Sequence, residues 1–153
     1  MQPIAPYSPS PPDRLRAVGG RATDATLAAV THAAILFGLF GVGFVITLAI
    51  NGGIWLYSRR SPFVAYHAQQ AGCYQCFVVV VNILYLALGG TLLGVAAVYP
   101  QWGFVGPLLF VVAVTGVVWF VLSILYGVWA AVRVLLGRPF AYPVFGRLAA
   151  RDK

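Results

Sequence analysis

The side chains that could do chemistry are concentrated in one short stretch of the chain, "YHAQQAGCYQC". On a helix, His67, Gln70 and Tyr74 share one face, because they stand at i, i+3 and i+7. Imidazole, amide and phenol groups can hold a ligand, line a polar pathway or join helices by hydrogen bonds. Lipid rejects such groups, so we expect this face to turn toward other helices. The predicted polar interhelical face consists of His67, Gln70, Tyr74, Gln75 and Asn82.

The second histidine, His32, lies in an earlier apolar stretch and could meet His67 inside a helical bundle. A histidine pair can hold a metal, and one membrane histidine can ligate a chlorophyll-type magnesium or a haem iron. A proton pump or cation transporter would call for a buried carboxylate. The chain has no Glu, and its three Asp lie in tails or at a helix start. We therefore expect hydrogen-bonding histidines and no cofactor, with pigment or haem ligation by His67 or His32 as the alternative.

Cys73 and Cys76 form a CxxC pair on the same predicted helix. A second pair of metal ligands is missing, and no βαβ pattern surrounds the motif. We therefore interpret the two thiols as small packing groups rather than a metal or redox site. The chain also has no nucleophile beside a base, no phosphate-binding loop and no dinucleotide fingerprint, so the sequence predicts no enzymatic activity.

Composition identifies the solvent of this protein as a lipid bilayer. The chain is 61% hydrophobic and 8% charged, against about 25% charged residues in soluble domains. Its net charge of +7 comes from basic residues at the ends of apolar segments. Such positions suit membrane anchors, so we do not expect nucleic acid as a partner.

Three apolar stretches predict four helical segments. The first stretch, 25–57, is too long for one span, since 33 residues would reach about 50 Å against a hydrocarbon core of about 30 Å. Glycines in its middle weaken a helix there, which predicts two short helices near 26–40 and 44–57. Two long transmembrane helices follow, within 67–99 and 107–136. The predicted fold class is an all-α integral membrane protein with a short N-terminal helical hairpin and two long transmembrane helices.

The basic residues predict the orientation of these helices. If the hairpin enters and returns, all ten basic residues lie on one side of the membrane, and the two opposite loops carry no charge. The positive-inside rule favours this arrangement, with several passes and both termini in the cytoplasm. The predicted membrane-anchor residues are Arg59, Arg60, Arg133 and Arg138.

The chain divides into three parts by composition. Residues 1–23 are rich in proline and predict a disordered cytoplasmic tail. Residues 24–137 form the predicted helical membrane domain, and 138–153 form a basic cytoplasmic tail.

The stretch "SPFVAYHAQQAGCYQ" and the later "GRPFAYP" resemble a known pattern. They are similar to motifs of the domain-of-unknown-function 4870 family of small bacterial membrane proteins. That family is distantly similar to the membrane subunit of the chloroplast inner-envelope import translocon. The resemblance implies a helical protein of the bacterial inner membrane, with His67, Gln70 and Ala71 in the shared motif, and no established activity.

Together these features predict a non-catalytic membrane protein, an accessory or assembly subunit that packs against a larger membrane complex. One alternative is a small carrier or pore lined by His67 and Gln70. Another is a pigment- or haem-holding subunit of a photosynthetic or respiratory complex.

Overall fold

A computed structural model describes residues 22–39, 43–58 and 61–146, and the regular secondary structure in these ranges is helical, without strands. The helices are α1 (Ala22–Ala33), a 3₁₀ helix (Ala34–Leu39), α2 (Gly43–Tyr57), α3 (Pro62–Val98) and α4 (Val105–Leu135). The predicted all-α fold is confirmed, including the short hairpin and the two long helices. By length and composition, α3 and α4 are able to cross a membrane.

The hairpin covers one half of the long helices. In α3 the buried residues run from Phe63 to Val78, and in α4 all but two of them lie between Ser123 and Val134. Helix α1 packs against both α3 and α4, whereas α2 packs mainly against α3. The uncovered part of α3, residues 79–98, is about 30 Å long at 1.5 Å per residue. This length equals the usual thickness of the hydrocarbon core, about 30 Å.

Proline and glycine set the ends of the long helices. Pro62 occupies the first turn of α3, where its missing N–H costs no hydrogen bond. Gly137 follows α4 with a φ of +67°. The amide of Gly137 donates to the Val134 carbonyl and that of Arg138 to the Arg133 carbonyl. This is the Schellman arrangement, which ends a helix and reverses the chain.

The reversal brings the next residues, 139–146, back onto the bundle; they are called the C-terminal segment below. Its side chains Phe140 and Tyr142 are only 5% and 2% exposed. The predicted basic tail, 138–153, therefore does not begin as a free tail, because Phe140 and Tyr142 in its described part pack against the helices. Residues 1–21 and 147–153 lie outside the described ranges, as do the predicted anchors Arg59 and Arg60.

Candidate functional site

Four buried residues from three parts of the chain form one polar cluster in the covered half of the bundle. His32 comes from the last turn of α1, His67 and Gln70 from neighbouring turns of α3, and Tyr142 from the C-terminal segment. None of the four is more than 2% exposed. They are called the histidine cluster below.

Their hydrogen bonds close into a ring whose directions follow from one backbone group. The amide N–H of Tyr142, which can only donate, lies 3.2 Å from Gln70 Oε1. The Gln70 Nε2 group therefore points the other way and donates to His67 Nδ1 at 2.8 Å. Because His67 Nδ1 is an acceptor, His32 Nε2, 3.1 Å away, is the protonated nitrogen of its ring. A neutral His32 then accepts at Nδ1 from the Tyr142 hydroxyl, 3.3 Å away, and this contact closes the ring.

Aromatic side chains enclose the cluster. Phe63 and Tyr66 contact the His67 ring edge-on, with centroids 4.6 and 5.4 Å away. Phe140 contacts His32 edge-on at 5.5 Å, and Tyr74 stacks on Tyr142 at 4.2 Å. The low dielectric of such surroundings strengthens satisfied hydrogen bonds and makes an unsatisfied group costly.

A second set of buried polar side chains hydrogen-bonds to the backbone of the hairpin. Gln75 Nε2 donates to the Thr31 carbonyl at 3.0 Å, and the Asn51 amide donates to Gln75 Oε1. The Thr47 hydroxyl donates to the carbonyl of Ala34, the first residue of the 3₁₀ helix, at 2.7 Å. These contacts satisfy carbonyl groups where α1 gives way to the 3₁₀ helix and regular α-helical bonding is interrupted.

The remaining predicted polar residues, Tyr74 and Asn82, are not members of the hydrogen-bond ring of the histidine cluster. Tyr74 donates its hydroxyl to the Ser123 carbonyl at 3.0 Å and so joins α3 to α4. Asn82 lies beyond the hairpin, where it lines an apolar groove of about 540 Å³ between the uncovered halves of α3 and α4. The structure therefore brings together His32, His67 and Gln70, places Tyr74 and Gln75 nearby, and leaves Asn82 outside.

The two basic residues within the described ranges, Arg133 and Arg138, lie at the C-terminal end of α4. Arg133 donates to the Pro139 carbonyl at 3.1 Å, and its guanidinium lies 5.3 Å from the centre of the Trp129 ring. Arg138 is exposed. Arg133 thus helps to hold the C-terminal segment beside α4.

Cys73 and Cys76 are exposed on the outer surface of α3, and neither takes part in a disulfide. The expectation that they pack between helices is wrong. Each differs by one position from a buried neighbour, Tyr74 or Gln75, and one position on a helix is a rotation of about 100°.

The directions of its hydrogen bonds limit what the histidine cluster can do chemically. Within the described ranges, His, Cys, Asp and Glu do not gather in groups of three or more that could hold a metal. His32 Nε2 and His67 Nδ1 face each other, and His32 Nδ1 faces Tyr142. These three nitrogens are thus engaged inside the protein, and the arrangement joins α1, α3 and the C-terminal segment.

Sequence reasoning missed Tyr142 and Phe140, the residues that complete the cluster. They lie in "GRPFAYP", a stretch too short to show helical or strand periodicity. The available signal was the glycine before it, since Gly just after a helix favours a reversal of the chain. Asn51, which donates to Gln75, and Thr47, which donates to the Ala34 carbonyl, were also missed, because they read as ordinary polar residues of an apolar helix.

A family model matches residues 23–149, which covers α1 to the C-terminal segment. It describes the MamF/MmsF family of magnetosome magnetite crystal formation proteins. No match was found among curated proteins or among solved structures. The expected relation to the domain-of-unknown-function 4870 family and the chloroplast translocon subunit is therefore wrong. That expectation depended on the short motif around His67 and Gln70. These residues hydrogen-bond between parts of the bundle, and a local feature of this kind does not define a family or a function. Because the matching model spans most of the chain, the protein belongs to the MamF/MmsF family of magnetosome magnetite crystal formation proteins.

Proposed function

We propose that this membrane protein acts in magnetite crystal formation as a non-catalytic accessory subunit that packs against another membrane protein. The observation that carries the proposal is the closed hydrogen-bond ring of the histidine cluster. The groups that form these hydrogen bonds are directed at one another, and they join α1, α3 and the C-terminal segment. A catalytic or ligand-holding site would need some of these groups to face a substrate.

The exposed surface supports the same proposal. Beyond the hairpin, α3 and α4 present large apolar side chains, among them Leu86, Val98 and Phe110, each at least 67% exposed. In a bilayer such a surface faces lipid or another transmembrane helix. The carrier alternative has less support, because His67 and Gln70 are buried and the ring would have to open for any solute to pass.

A dose experiment distinguishes an accessory subunit from a catalyst. The gene is deleted in a magnetosome-forming host and restored under an adjustable promoter, and crystal number and size are measured with the amount of protein per cell. A stoichiometric subunit should restore the crystals in proportion to its amount up to the wild-type level. Full restoration at about a tenth of that level would contradict the proposal, because one catalyst molecule serves many turnovers.

We further propose that the basic ends of the helices, with both termini, lie in the cytoplasm. The motive is the absence of charge from the loop that joins α3 and α4, 99–104. Single cysteines at Gln101 and Arg138, in a chain with Cys73 and Cys76 replaced by Ala, are exposed to a membrane-impermeant thiol reagent in spheroplasts. We expect labelling at 101 in intact spheroplasts and at 138 only after permeabilisation. The reverse pattern would invert the orientation.

A further inference from the structure

An open groove runs between α3 and α4 beyond the part of these helices that the hairpin covers. Its volume is about 540 Å³, its lining is almost entirely apolar, and Asn82 lies at the end nearest the hairpin. We propose that this groove, called the α3–α4 groove below, holds one acyl chain of a phospholipid from the leaflet on the hairpin side. Asn82 donates a hydrogen bond to the ester carbonyl of that lipid.

The length of the α3–α4 groove matches the depth of one leaflet. Its lining residues run from Asn82 to Leu93 on α3 and from Leu109 to Phe120 on α4. Either run is about 17 Å long at 1.5 Å per residue. Half of a hydrocarbon core of about 30 Å is about 15 Å, so one chain from one leaflet can occupy the whole groove.

The width of the groove suits a hydrocarbon chain better than a helix. Spread over a length of about 17 Å, the volume gives a mean cross-section of about 32 Å², or a width of about 6 Å. Carbon atoms in contact stand about 4 Å apart, so a single file of methylene groups fits. A transmembrane helix is about 10 Å wide with its side chains, and it would rest on the exposed side chains of Leu86 and Leu93 without filling the groove.

Small residues open the groove while a close contact holds its walls together. A Cβ added at Gly89 or Gly90 would meet nothing within 4 Å, so the backbone of α3 is bare there. At Gly116 an added Cβ would lie 3.1 Å from Tyr85 Cδ1, because the Tyr85 ring lies directly against α4. The groove is therefore a concavity between two helices that are in contact.

Asn82 gives this apolar groove one polar end. The residue is half-buried, and within the described ranges its carboxamide has no hydrogen-bond partner. An unpaired amide in hydrocarbon is costly, because no water is present to satisfy it. A lipid whose chain fills the groove supplies an ester carbonyl as the missing acceptor.

The loop after α3 shows how deep Asn82 lies in the bilayer. Tyr99 stacks on Trp102 and Trp102 on Phe104, with centroids 4.7 and 6.0 Å apart, and exposed aromatic residues mark a membrane interface. Asn82 is about 25 Å from Tyr99 along α3, about 5 Å short of the opposite boundary of a core of about 30 Å. A side chain and one hydrogen bond of about 3 Å span that distance, so Asn82 reaches the ester groups at the boundary.

Native mass spectrometry of the full chain in detergent, titrated with palmitoyl-oleoyl phosphatidylethanolamine, tests the proposal. We expect one phospholipid to bind more tightly than any that follow. The dialkyl ether analogue of the same lipid has no ester carbonyl. It should bind about fivefold more weakly, the usual effect of one net hydrogen bond.

Three variants locate the bound lipid. Asn82→Leu removes the donor, so the ester and ether lipids should bind equally well. Ala113→Phe places a ring in the groove and should weaken the first site at least about tenfold by occupying its space. Ala87→Phe makes the same change at an exposed position of α3 outside the groove lining and should leave binding within about twofold.

Three results would overturn the proposal. The first is equal binding of the ester and ether lipids to the wild-type chain, and the second is an unchanged first site in Ala113→Phe. The third is a dimer without phospholipid that Ala113→Phe dissociates, which would assign the groove to a second copy of the chain. If a variant fails to fold, the comparison of ester and ether lipids on the wild-type chain decides.

Discussion

Replacing Tyr142 by Ala should lower the free energy of unfolding by about 3–5 kcal/mol, the range for removing a buried aromatic side chain. The Tyr142 ring stacks on Tyr74 at 4.2 Å and is 2% exposed, so its loss leaves a cavity between α3 and the C-terminal segment. The hydroxyl bond to His32 is lost as well. Chemical or thermal unfolding in a mild detergent would measure the change.

Two matched variants separate the contributions at this position. Tyr142→Phe keeps the ring and removes the hydroxyl, so it should cost about 1 kcal/mol, the usual net value of one hydrogen bond. Val144→Ala changes an exposed residue of the same segment and should alter stability by no more than about 0.5 kcal/mol. If Tyr142→Ala were no worse than Val144→Ala, the C-terminal segment would not pack as described.

Replacing Gly127 by Leu should destabilise the bundle by about 1–3 kcal/mol through overpacking. Gly127 is the point where α4 meets the end of α1 and the start of the 3₁₀ helix. A Cβ there would lie 2.7 Å from Cγ2 of Ile35 in the 3₁₀ helix and 3.5 Å from the His32 carbonyl oxygen in α1. A leucine would push this part of the hairpin away from α4 and disturb the turn that carries His32. The free energy of unfolding measures the effect.

Gly89→Leu is the matched control for this change. Gly89 also lies inside a long helix, but a Cβ at that position meets nothing within 4 Å. Both substitutions gain similar helix propensity, so the difference between them reports the contact of α4 with Ile35 and His32. Equal stability of the two variants would show that the hairpin does not approach α4 at Gly127.

The helices of this protein could be predicted from the sequence because the bilayer restricts the choices. An apolar run longer than the hydrocarbon thickness with glycines in its middle predicts a hairpin, and the structure has α1, a 3₁₀ helix and α2 there. The periodicity of His67, Gln70 and Tyr74 likewise indicated one shared face, and all three are buried. These features depend on the local spacing of residues and on the free energy of transferring their side chains into lipid. Both can be read from the residue types in the sequence.

The tertiary structure alone decided which groups meet. His32 and His67 are joined because α1 packs against both α3 and α4, in a rotation and position that no local pattern specifies. Cys73 and Cys76 face outward although their neighbours are buried, since the orientation of α3 is set by its packing partners. Tyr142 completes the cluster because the chain reverses at Gly137, which has a positive φ. The sequence by itself determined helices and a buried polar face; long-range packing, which joins residues up to 110 positions apart, decided the site.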